Sequence, residues 1–216
     1  MVEFGYIVLF YGGLWGLVEA SLGYFLHLLG DFLPIPSLSG TILFPVGLFF
    51  MVRAMRASGQ TKAVPLVALI AAAIKSASIL LPFVSLRFVR NPVMAILLEG
   101  AVVWIVIGIS DLKADRFLPL RAMAMSFGWR GIFLLLNRSL GLSGIASKPA
   151  AVQWNFIIMD GGIDALIITA AVGLTALMTR RREDPIDRRR RGYLGPLPAL
   201  AAVLAGLGGQ ALFAAL

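Results

Sequence analysis

Cysteine is absent from the 216 residues, and histidine occurs once, as His27. The first absence excludes disulfides, thiolate metal sites and cysteine nucleophiles. The second would leave carboxylates as most of the ligands of any transition-metal site, so no metal and no cofactor is expected. Charge is scarce too, 14% of residues where a soluble domain carries roughly a quarter. No GxxxxGK[ST] phosphate loop occurs, so ATP-driven work at this protein would need another polypeptide for hydrolysis. The start, MVEFGY, lacks the basic region and small-residue cleavage site of a signal peptide, and the first apolar segment reads as a retained helix.

Hydrophobic residues dominate, at 59% with mean hydropathy +0.90, and they come in runs of bilayer length. Spans of about 20 residues are predicted near 6–30, 39–56, 63–82, 92–110, 121–140, 153–178 and 194–215. The expectation is an all-α polytopic transmembrane bundle with a six-helix core at 1–178. A basic cytoplasmic linker at 179–192 and an appended seventh helix at 193–216, outside the functional core, complete it. Ser39 or Thr41 is placed to cap the second helix, and Asn91 the fourth, with Pro92 in its first turn. The fifth is interrupted by Arg130, Asn137 and Arg138.

The net charge of +8 would suggest nucleic acid in a soluble protein; in a membrane protein it reports orientation. Thirteen of the 19 Lys and Arg residues lie in the connections at 53–62, 111–121 and 179–192. The positive-inside rule then puts the N-terminus in the cytoplasm and the connections at 31–38, 83–91 and 141–152 outside. The run TRRREDPIDRRRRGYLGP reads as a solvated orientation signal beside anionic lipid, with no nucleic-acid partner.

Ionisable residues inside the spans carry the functional argument, because charges at bilayer depth are costly and usually functional. At about 1.5 Å per residue, Lys75, Glu99 and Asp160 lie about 10 Å from the external ends of their helices, with Glu19, Arg130 and Asp164 about 15 Å down. His27, Asn137, Asn155, Arg87, Arg90 and Asn91 sit above. Contributions from five helices to one half of the membrane suit an externally open pocket better than a through-pore. The substrate-binding set is Glu19, His27, Lys75, Arg90, Asn91, Glu99, Asn155, Asp160 and Asp164. The plain alternative is internal ion pairing, such as Lys75 with Glu99. Asp160 and Asp164 stand one helical turn apart and repel unless a proton, Arg130, Lys75 or a ligand answers them. Three acidic helices against two basic residues leave room for a small ligand of mixed polarity with positive character. No catalytic set is identified: GLSG at 141–144 has no downstream histidine, and the single NPV at 91–93 lacks the second copy a water-pore motif needs.

The stretches GLVEASLGYFLH…PSLSGTILFPVGLFFM (16–51) and AAAIKSASILLP…RNPVMAILLEG (71–100) resemble a substrate-binding (S) component of an energy-coupling factor (ECF) transporter. The likeness covers the first half of the chain, with Lys75, Asn91, Pro92 and Glu99 carrying the second stretch. It implies a six-helix bundle in a prokaryotic cytoplasmic membrane that binds a vitamin-like solute or metal ion near the external side. It also implies a transmembrane coupling subunit and two ATP-binding subunits as partners, and no enzymatic activity of its own. Gly12, Gly16 and Ala20 match the four-residue spacing with which such components contact the coupling subunit, a spacing that equally serves internal packing. A seventh helix and a polar fifth depart from the usual layout. The competing readings are a self-sufficient proton- or ion-coupled carrier and an intramembrane enzyme built on Asp160 and Asp164.

Overall fold

A computed structural model describes residues 2–32, 38–80, 84, 86–109, 118–142, 144–180 and 195–214, excluding the side chains at 24, 27–32, 87, 175–180, 211, 213 and 214. Seven α-helices occur among them: α1 (Val2–Phe32), α2 (Leu38–Ser58), α3 (Ala63–Ser76), α4 (Leu86–Ile109), α5 (Leu118–Ser139), α6 (Ala150–Arg180) and α7 (Pro196–Ala214). No strand occurs among the described residues. Of the basic linker expected at 179–192, Thr179 and Arg180 belong to α6 and the rest lies outside the described residues.

Five helices are long and apolar enough to cross a membrane: Val2–Gly23, Leu38–Ser58, Ala63–Leu80, Phe88–Ile109 and Ala150–Leu174. The protein is an all-α, multi-pass membrane bundle. Arg121, Arg130, Asn137 and Arg138 keep α5 out of that set, and the apolar run of α7 is shorter, Pro196–Gln210.

Two predicted helix starts shift. α4 begins at Leu86, so Pro92 lies inside the helix and Asn91 is no cap. A mid-helix proline removes one backbone hydrogen bond, yet the turns before it persist and carry Arg87 and Arg90 on a helix instead of a loop. α2 begins at Leu38, which makes Ser39 and Thr41 helical residues instead of caps. Its other end closes at Gly59, whose φ of +68° and N–H to Met55 O bond of 2.9 Å form a left-handed helix stop. α3 follows within four residues.

Small residues set the helix spacing, as expected where lipid supplies no hydrophobic drive between helices. A Cβ on Gly12 or Gly16 would run into Ile70 or Ile74 of α3. A Cβ on Gly13 would sit 2.5 Å from the Ala202 carbonyl carbon of α7. Gly209 approaches Leu17 and Ala20 from the same side. In both pairs residue numbers rise together, so α1, α3 and α7 run parallel. Gly206 leaves room for Gly13 O and Ile74 together, and Ser78 Oγ donates to Gln210 Oε1 at 2.7 Å. α7 is therefore packed on α1 and α3. The Gly12, Gly16 and Ala20 ladder is taken up within the chain by α3 and α7, which removes it as an open docking face.

Trp15, Phe44, Met51, Val64, Val67, Ile96 and Val103 form the buried centre. Trp15 fits because Gly47 of α2 has no side chain; a Cβ there would overlap the indole.

Candidate functional site

One end of the bundle opens into a cavity of about 200 Å³. Its lining comes from the last half of α1 (Glu19, Gly23), the start of α2 (Ser39, Gly40, Leu43), the end of α3 (Lys75) and the start of α4 (Asn91 to Glu99). The end of α5 (Trp129, Phe133), Ile145 and the start of α6 (Phe156) close it. Most of these residues lie toward the ends joined by the connections at 33–37, 81–85 and 140–149, whereas Glu99 and Trp129 lie near the middles of α4 and α5.

Each polar group is held by local structure. Glu19 is one turn from Trp15, and the indole N–H donates to its Oε1 at 3.3 Å. Glu99 is 3% exposed, and its Oε2 accepts no hydrogen bond. Lys75 is 9% exposed and makes no ion pair within 4 Å among the described residues, which rules out the alternative of a Lys75–Glu99 pair. Asn91 Oδ1 accepts from Arg90 Nε at 3.4 Å. Gly144, at φ +132°, turns the α5–α6 connection so that it passes close to the Asn91 amide. Gln153 pins that connection by donating to Ala146 O and Lys148 O.

Trp129, Phe133 and Phe156 make the apolar wall, with centroid separations of 5.9–6.2 Å in tilted and edge-on pairs. Behind it lies a fully buried guanidinium. Arg130 stands 4.7 Å from the Trp129 ring centre and 4.9 Å from that of Phe156. Its Nη2 donates to Asp164 Oδ2 at 2.8 Å and reaches Thr41 Oγ1 at 3.4 Å, while Nη1 lies 3.8 Å from Asp160 Oδ2. Arg130 is thus the cation that answers the paired aspartates.

Of the nine predicted substrate-binding residues, Glu19, Lys75, Asn91 and Glu99 line the cavity. Asp160 and Asp164 belong to the Arg130 cluster behind the wall, and Arg90 touches the site through Asn91. Asn155 is exposed; one residue from Phe156, it is turned about 100° off the face that Phe156, Asp160 and Asp164 share. The side chains of His27 and Arg87 lie outside the described residues. The aromatic wall was not foreseen, although Trp129 and Phe133 at i, i+4, and Phe156 four residues before Asp160, continue the polar stripes.

No three metal-ligating side chains converge among the described residues. The fold and cavity define a helical membrane protein with a largely apolar pocket that carries a few charged and polar groups. No family model, curated protein or solved structure matches the chain.

Proposed function

We propose that this protein is the solute-binding membrane subunit of an ATP-driven importer of the energy-coupling factor kind. The observation that carries the reading is Glu99, a buried carboxylate with an unpartnered oxygen on the wall of a cavity that also holds Glu19 and Lys75. Uncompensated buried charge is expensive, and a scaffold that retains it beside a 200 Å³ cavity gains from a ligand that answers it. Arg53 and Arg56 near the end of α2, Lys62 after it, and Arg121 at the start of α5 lie at the helix ends away from the cavity, and by the positive-inside rule this supports a cavity at the external surface of a prokaryotic cytoplasmic membrane. The missing phosphate loop assigns ATP hydrolysis to separate subunits beside a coupling subunit. With α3 and α7 over the α1 ladder, the coupling subunit meets another face.

Purification from native membranes in mild detergent tests this. ATP-binding subunits co-elute, and solute uptake stops when ATP is depleted. Proton-gradient-driven uptake by the lone chain in liposomes would replace this reading with the carrier. The carrier draws its support from the Arg130–Asp164–Asp160 cluster.

A further inference from the structure

Three features fix the ligand chemistry that this cavity accepts. The first is a charge imbalance. The cavity lining carries two carboxylates, Glu19 and Glu99, and one cation, Lys75. Arg130, 2.8 Å from Asp164 and 3.8 Å from Asp160, is not among the lining residues. Lys75 is one ammonium between two lining carboxylates, and Glu19 already accepts the Trp15 N–H. One carboxylate's worth of charge is left over, and it belongs to Glu99, whose Oε2 is buried without a donor.

The second feature is the aromatic wall, which offers flat apolar surface in the same cavity as the carboxylates. The Arg130 guanidinium already covers Trp129 and Phe156. A cation on a ring draws on the same negative quadrupole that a second cation would use. A positive ligand group is therefore directed to the carboxylate, and the rings take the ligand's apolar body. The third is size. An apolar cavity of about 150 Å³ holds benzene, so about 200 Å³ fits one ring with a short substituent.

We infer that the cavity binds a single-ring organic cation, an aromatic or heteroaromatic ring bearing a protonated amine, with the ring against Trp129, Phe133 and Phe156 and the amine on Glu99. This rests on the solute-binding reading and narrows it from a mixed-polarity solute to a monocation. Lys75, the cation in the lining, disfavours a second positive group on the ligand.

The test is calorimetric titration of the full chain in nanodiscs with three probes of one shape: benzylamine, benzyl alcohol and benzoate. Benzylamine binds about tenfold or more tightly than benzyl alcohol, as a charge-assisted hydrogen bond to a buried carboxylate requires. Benzoate binds weakest. Glu99→Gln, close to the same shape, removes the advantage of the amine. Benzyl alcohol or benzoate matching benzylamine in the unaltered chain would overturn the cation assignment and leave a solute-binding cavity standing. Failure of all three probes to bind would overturn both. The ranking in the unaltered chain decides the matter even if the Glu99→Gln protein fails to fold.

Discussion

Replacing Arg130 with methionine removes the one cation behind the aromatic wall and leaves Asp164 fully buried with its neighbour Asp160 one turn away. Removing one partner of a buried ion pair costs about 3–5 kcal/mol. The upper end applies here, because two carboxylates lose the same partner and two aromatic rings lose a stacked guanidinium. Asp164→Asn costs less, about 3 kcal/mol at the lower end of that range, since Arg130 keeps Asp160. Replacing both partners with apolar side chains, Arg130→Met with Asp164→Leu, is milder than Arg130→Met alone, because the fully buried carboxylate of the pair is then removed together with its cation. The assay is reversible denaturation in mixed micelles, run as a double-mutant cycle. Ordinary interhelical hydrogen bonds in membranes average about 0.6 kcal/mol, so a coupling of about 2 kcal/mol or more marks a true buried ion pair. A cost under about 1 kcal/mol for Arg130→Met, with additive effects at Asp164, would refute the reasoning.

Other perturbations follow from the packing. Gly13→Leu drives a side chain into the α7 backbone at Ala202; with no native cysteine, Ser78→Cys and Gln210→Cys joined by a short bifunctional thiol reagent report it, and the cross-link yield falls. Gly47→Val overlaps the Trp15 indole and lowers stability by about 1–3 kcal/mol, read as a lower thermal midpoint. Ser126 is fully buried with an unpartnered Oγ, so Ser126→Ala raises stability by up to about 1 kcal/mol in the same denaturation assay. Asn155→Ala leaves the amount of retained solute unchanged, whereas Phe156→Ala reduces it, both measured by mass spectrometry of the purified protein.

The sequence shows the helices because runs of apolar residues at bilayer length have few other structures available to them. It also shows that the polar residues gather toward one end, since counting 1.5 Å per residue needs no tertiary information. Helix ends are where it misleads. Asn91–Pro92 carries the chemistry of a helix start, yet the backbone hydrogen bonds of the LRFVR segment continue α4 six residues earlier. Which polar residues pair and which line the cavity depends on rotation about the helix axis. Asn155 and Phe156 are adjacent in the chain, but only Phe156 meets the cavity. The choice of Arg130 over Lys75 as partner to Asp164 depends on how α5 packs against α6. The ladder on α1 shows the same limit: its spacing announces close packing, and only the assembled bundle shows that α3 and α7 supply the neighbours.

Liquid chromatography and mass spectrometry of small molecules retained by protein purified from its native membrane bear most directly on the cavity's role. The unaltered chain carries one small organic cation at close to one per protein, and Glu99→Gln, eluting at the same position in size-exclusion chromatography, carries none. A unaltered chain with nothing above the detergent blank, or equal retention by both proteins, would contradict a solute-binding site built around Glu99.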